Sequence, residues 1–287
     1  MRLLTWNIRF GGIGPGLYRY DPERSPGNVQ KVAQAILSRD ADIVTLAEYR
    51  DAAETGGAIK ACLREAGYTC YCSNCGLDKN GILVAMSRRA NEAYDVSFPD
   101  TFLADSIRLD EIFRYRWLNL SLRGQDGSSF ELLGIHIPDV RQSRIGSPDA
   151  FVRSISYKQI IWDALLGYAR GKLERGEEAI IMGDFNTGLN REDKSPGTSN
   201  YYLSDRMAGL REMQDAMGWK WVDAWRFYHP APGPEDYTWY IGQSGFRLDY
   251  IFLTPRLAEG LKGAEHSHEE RKAGLSDHSM LLADVDI

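Results

Sequence analysis

The chain has 287 residues, with 34 Lys and Arg against 40 Asp and Glu, for a formal net charge of −6. That length holds a sizeable core, and no apolar stretch approaches the roughly 20 residues a membrane span needs. The acidic balance argues against a dedicated duplex-DNA binder, whose affinity rests on Lys and Arg contacts to phosphate.

The chain opens at once on an apolar run, residues 3–6, that ends in Asn7. No basic-then-apolar leader precedes it, so a cytoplasmic protein is expected. A Gly/Pro-rich stretch at 11–27 is too long for a simple connector and is expected to border whatever Asn7 serves. Asn28 reads as the cap of a helix over 29–38, with Val29, Val32, Ala33 and Ile36 on its apolar face. A second strand over 42–48 ends in Glu48. Residues 59–66 read as helix, and 68–72 and 81–86 as strands joined by a polar turn that carries Asn80. Strands are expected at 112–122 and 130–137, the latter holding His136. Ser147-Pro148 is a good helix start, and Tyr157, Ile161, Ala164, Leu165 and Tyr168 then keep helical spacing. The apolar run 179–182 releases Gly183-Asp184-Phe185-Asn186. A second long helix is expected over 202–217, short segments at 219–225 and 237–241, and closing strands at 247–253 and 279–287. No internal repeat is visible at the level of identity. Runs of strands separated by a few long helices predict an α+β fold of two packed sheets with helices outside. The key motifs span both halves with no Pro/Ser linker between them, so one domain over 1–287 is expected.

Six apolar segments each meet a polar group at one end: Asn7, Glu48, His136, Asp184, Asp249 and the pair Asp277-His278. Charged groups are almost never buried unpaired, so the economical reading is one site at a shared rim. In order along the chain, Thr5-Trp6-Asn7-Ile8, Ala47-Glu48, Gly183-Asp184-Phe185-Asn186, Tyr237-Thr238-Trp239, Arg247-Leu248-Asp249-Tyr250-Ile251 and Ser276-Asp277-His278-Ser279 resemble the endonuclease/exonuclease/phosphatase superfamily. The resemblance covers almost the whole chain. It implies a deoxyribonuclease I-like, four-layer sandwich of two mostly antiparallel sheets flanked by helices. It also implies a metal-dependent phosphoric ester hydrolase. From Val222 onward the motif order is similar to exonuclease III.

Asn7 and Glu48 offer hard oxygen ligands, which suit Mg²⁺ with several waters, and Mn²⁺ would fit the same set. Asp277 resembles a further metal carboxylate. The resemblance implies that Asp249 and His278 act as a pair at the scissile phosphate, either activating water or steadying the developing charge. It makes Asp184 the group that aligns or deprotonates the attacking water, and gives Asn186 a phosphate oxygen to bind. His136 stands where deoxyribonuclease- and sphingomyelinase-like members carry His and exonuclease III-like members carry Tyr. Arg9 stands where an acidic residue is common, which leaves either a phosphate contact or a one-metal site. Trp239 is expected beneath the substrate pocket and Asn80 as a loop amide on phosphate. The expected reaction is hydrolysis of a nucleic-acid backbone, with a nucleotide, small phosphoester or lipid headgroup as the alternative substrate. Arg114, Arg116, Arg141, Arg144, Arg153 and Lys158 are either a track for the substrate backbone or a solvated face. Cys62, Cys70, Cys72 and Cys75 are expected to be reduced structural thiols. Their spacing is not a paired Cys-x-x-Cys repeat, so zinc there is disfavoured, and a disulfide is the other alternative.

Overall fold

The computed structural model describes residues 1–14, 16–73, 77, 79–99, 115–140 and 148–287. The expected strand before residue 115 and the cap at Ser147 lie partly or wholly outside these, as do Cys75 and the side chains of Arg114, Arg141, Arg144 and Arg153.

Fourteen strands form among the described residues, twelve of them in two six-stranded sheets. The first sheet runs β13 (Leu261–Ser267), β14 (Met280–Val285), β1 (Arg2–Asn7), β2 (Ile43–Tyr49), β4 (Gly81–Met86) and β3 (Thr69–Cys72). The second runs β5 (Tyr94–Ser97), β6 (Trp117–Gly124), β7 (Ser129–His136), β8 (Ala179–Asp184), β12 (Asp249–Leu253) and β9 (Val222–Asp223). A small hairpin, β10 (Trp239–Ile241) with β11 (Ser244–Phe246), stands apart. Each sheet has one parallel pair at its centre, β1 with β2 and β7 with β8, and antiparallel partners elsewhere.

The central strands are apolar on both faces, as buried strands are. Successive residues of β1 alternate between layers. Leu3 joins the core between the sheets with Ile43, Leu132, Ile180 and Leu281. Leu4 and Trp6 face the helices Ser25–Leu37 and Gly56–Glu65 through Val32, Ile36, Ile59 and Leu63. On the far side, Ile161, Trp162, Leu165 and Tyr168 of helix Pro148–Arg175 cover Leu133, Ile181 and Phe252. These are the expected four layers: helix, sheet, sheet, helix.

Three local expectations change. Asn28 does not cap its helix, which starts at Ser25 with Pro26 in the first turn. Its amide instead donates to Gly12 O (2.8 Å) and Leu275 O (3.0 Å), pinning the Gly-rich loop. The helix expected over 202–217 is confined to Ser204–Glu212. Beyond it the Asp215 carboxylate accepts from the N–H groups of Met217 and Trp219, both at 2.8 Å, and local bonding of this kind competes with helix. Strands β5 and β13 were not expected. Both are edge strands with little apolar alternation, so their periodicity was weak. Cys70 and Cys72 share one face of β3 and pack with Cys62 against the helix-side core, while Tyr71 packs on the inter-sheet side.

Candidate active site

The strand ends do converge. Registers fix which groups meet: β1 alongside β2 sets Asn7 against Ala47, next to Glu48, and β7 alongside β8 sets His136 against Asp184. On the other side of β8, Asp249 is the register partner of Asp184. Gly183 makes the β7–β8 approach feasible. Its φ is +148°, and a Cβ there would lie 1.9 Å from Ile135 O, so only glycine fits.

A cleft of about 210 Å³ opens over these ends. Arg9, Glu48, Asn80, His136, Asp184, Asn186, Trp239, Asp277 and His278 line it, so nine of the eleven expected residues face one space. The other two lie directly beneath. Asn7 donates its amide to Asp184 Oδ2 (2.8 Å) and Glu48 Oε1 (3.3 Å), and Asp249 Oδ2 is 2.9 Å from His278 Nδ1. Six described residues other than glycine hold left-handed backbone, and four of them, Arg9, Phe10, Glu48 and Asn186, line the cleft. Strain of this kind, of order 1 kcal/mol or more per residue, persists where the surroundings over-determine it and gathers at functional sites.

Asp184 is buried and accepts three N–H groups: Asn7 Nδ2, Asn186 N (2.8 Å) and Asn186 Nδ2 (3.1 Å). The other amide hydrogen of Asn186 goes to Ile137 O at 2.9 Å. Both of its hydrogens are thus used within the protein, one of them on Asp184. Asn7 behaves alike. Carboxylates only accept, so its amide nitrogen faces them, and its oxygen takes the Arg9 N–H at 2.9 Å. Asn7 thus links Glu48 to Asp184.

Glu48 is held by Asn7 and by the Phe10 N–H on Oε2 (3.0 Å), which leaves lone pairs toward the cleft. Asp277 is partly exposed, accepts from Trp239 Nε1 at 3.2 Å and lies 3.9 Å from Arg9 Nε. Trp239 also packs near His278, ring centroids 6.5 Å apart. Asn80 has its oxygen bound to Arg50 Nε at 2.8 Å.

His278 is buried with Nδ1 on Asp249 and Nε2 4.0 Å from Asp184 Oδ2. Burial disfavours its charge, but Asp249 and Asp184 outweigh that and push it up to about 10. Burial pushes the Asp184 carboxyl up as well, against the pull of His278 and the N–H donors. The pair titrates as a unit. His136 goes the other way. Burial, then Arg116 and His278, hold it well below its ordinary value. Asp184, Asp249 and His278 also bring three ligand-type atoms within 4.8 Å of one another. This trio is fully buried and spends His278 Nδ1 on Asp249, so it reads as a proton-holding unit.

The remaining motif residues are structural. Ser276 Oγ donates to Asn7 O (2.6 Å) and accepts from His278 N (3.1 Å), tying two site residues together. Thr238 Oγ1 accepts from Leu248 N at 3.0 Å, and its carbonyl accepts from Ser279 N at 2.8 Å. Tyr18 and Arg116 also line the cleft. Of the two expectations for Arg116, a track for the substrate backbone or a solvated face, its position on the cleft wall is in keeping with the first. Its place beside His136 follows from the β6–β7 register, which sequence pattern alone does not supply.

The sequence profile of the endonuclease/exonuclease/phosphatase family matches residues 4–278. The chain belongs to this family. Membership places it among hydrolases of phosphoric esters. Among solved structures, an AP endonuclease from Archaeoglobus fulgidus superposes with a TM-score of 0.70 at 20% identity, covering 100% of both chains. The 3′-5′ exonuclease NExo from Neisseria meningitidis gives 0.69 at 21% identity, again with 100% of both chains. TDP2 from Caenorhabditis elegans gives 0.60 at 17%, covering 98% of this chain and 74% of that one. These likenesses establish the deoxyribonuclease I-like fold. No curated protein sequence matches the chain. No helix among the described residues is long and apolar enough to cross a membrane.

Proposed function

We propose that this family member is a Mg²⁺-dependent phosphodiesterase that hydrolyses a nucleic-acid backbone. The observation that carries the reading is Asp184, fixed by three N–H donors at the cleft floor between His136 on one side and the Asp249–His278 pair on the other. Asp184 is placed to accept a proton from the attacking water. Its raised affinity for a proton brings it toward the working range of a general base. His278, held protonated by Asp249, faces the charge that develops on phosphorus oxygens. His136 offers a further donor from the opposite wall.

The donor set fits a hard cation at the open rim. Glu48 keeps lone pairs toward the cleft, Asp277 adds a second carboxylate, and the open space above them suits an ion that keeps several waters. When bound, such an ion neutralises charge on a non-bridging phosphate oxygen. Glu48→Gln is expected to abolish tight Mg²⁺ binding by calorimetry. Unchanged affinity would remove Glu48 from the metal site.

A second reading keeps the chemistry and takes a nucleotide or other small phosphoester. The acidic net charge, the 210 Å³ cleft and a cation, Arg9, at its rim favour it. The test is Mg²⁺-dependent hydrolysis of duplex DNA, abasic-site duplex, single-stranded RNA and bis-(p-nitrophenyl) phosphate, each with wild type and Asp184→Asn. Cleavage of a polymer that the variant loses, with affinity falling steeply in salt, supports the nucleic-acid reading. Turnover of the small ester alone, insensitive to salt, moves the assignment to the second.

A further inference from the structure

We propose that Tyr18 determines specificity: its exposed ring is the platform on which a nucleobase of the substrate stacks while the adjoining phosphate lies over Asp184 and His278. The inference rests on the hydrolase reading of the cleft and names the part of the substrate that one wall would hold.

Exposed apolar side chains are ordinary on a protein surface, and Met217 and Phe227 are such cases outside the cleft. Tyr18 differs in its place. It is 65% exposed and lines the same cleft as Glu48, Asp184 and His278. Two other large aromatic side chains line that space, Phe10 and Trp239. Trp239 is buried and donates its Nε1 to Asp277, so it packs into the floor. Phe10 is half-buried and supports Tyr18, with ring centroids 6.1 Å apart and planes tilted by 48°. The broad exposed ring of the cleft is therefore that of Tyr18.

The ring is also held in register with the chemistry. Left-handed backbone at Arg9 and Phe10 turns the chain as it leaves β1, and the Phe10 N–H then meets Glu48 Oε2. One residue thus fixes a site carboxylate through its backbone and braces Tyr18 through its ring. The Arg50 guanidinium lies 4.6 Å from the Phe10 centroid, and that of Arg9 lies 5.9 Å from the Tyr18 centroid. Arg9 and Arg116 supply positive charge within the cleft itself. Cations interleaved with an open aromatic ring are the pattern by which proteins hold an unpaired base beside its phosphate. Stacking of this kind takes any base, because each offers a π-face.

Two chromogenic diesters with one leaving group test this in the presence of Mg²⁺: thymidine 5′-(p-nitrophenyl phosphate), which carries a base, and methyl p-nitrophenyl phosphate, which does not. Wild type should favour the thymidine ester in kcat/KM. Tyr18→Ala should lower that preference by roughly 5- to 100-fold, the range for losing one stacked base, and Tyr18→Phe should keep it. A wild type without the preference, or a Tyr18→Ala protein that retains it, overturns the proposal. So does a Tyr18→Phe protein that loses as much as Tyr18→Ala, since stacking needs the ring and not the hydroxyl. Binding in metal-free protein then identifies the source of the base, using labelled single-stranded oligothymidylate by anisotropy and thymidine monophosphate by calorimetry. Weakening of the strand alone in Tyr18→Ala supports a base within a nucleic acid, and weakening of the mononucleotide supports a platform that a free nucleotide fills. Weakening of neither overturns the proposal. If wild type hydrolyses neither ester, the hydrolase reading fails, and the binding comparison still decides what Tyr18 does.

Discussion

His278→Ala is expected to lower kcat by about three orders of magnitude, the combined scale of proton transfer and charge stabilisation at one group, with a much smaller change in KM. The substitution removes the imidazolium facing Asp184 and leaves Asp184 and Asp249 as buried neighbours without a cation between them. The same change has a signature in stability. In metal-free wild type His278 is raised from 6.5 to about 10, so folding favours its protonated form. A group raised in this way contributes fully below its unfolded value, and the contribution fades as pH climbs through the folded value. The melting advantage of wild type over His278→Ala should therefore shrink between pH 6.5 and about 10. A constant advantage across that window, together with a kcat within tenfold of wild type, would remove the imidazolium from the mechanism.

The largest loss of stability is expected from Arg247→Met, about 3–5 kcal/mol by urea denaturation, because it strips the cation from buried carboxylates. Arg247 is 0% exposed. Its Nε donates to Asp193 Oδ1 (2.8 Å), its Nη1 to Asp223 Oδ1 (2.9 Å), and its Nη2 lies 2.7 Å from both carboxylates. Arg226 extends the cluster to Asp236 at 2.8 Å. The Arg247 N–H also donates to Asp193 O at 2.8 Å, which fixes the chain two residues before Asp249. Arg247→Lys keeps the charge but not the fork that reaches two carboxylates, and should fall between wild type and Arg247→Met. A denaturation midpoint for Arg247→Met close to wild type would show that the cluster is held together by other means.

Much of this site could be read from the chain because each chemical residue sits at the end of an apolar run. Asn7, Glu48, His136, Asp184 and Asp249 are placed by strand geometry, and strands are the most legible elements when both faces are buried. What the sequence hid is pairwise. The Asn7–Asp184 bond comes from the packing of one sheet on the other, the Arg116–His136 contact from β6–β7 pairing, and the Asn186–Asp184 bond from a local turn with left-handed backbone at Asn186, none of which apolar periodicity reports. The role of Arg247 was hidden for the same reason. Its position in the motif was plain, but its partners Asp193 and Asp223 come from separate segments. Elements carrying little apolar signal, such as β13, left no periodicity to read.

The layout of the two sheets has a consequence for how the protein fails. Each sheet places its central parallel pair beneath the cleft, and each contributes half of the chemistry: Asn7 and Glu48 from one, His136 and Asp184 from the other. The Asn7–Asp184 hydrogen bond crosses the seam between them. Catalysis is therefore a property of the docked halves and of neither alone. Turnover should act as a gauge of docking, declining under mild denaturant before the strands themselves melt. A substrate spanning the seam would in turn clamp the halves together and raise the melting temperature as its concentration rises.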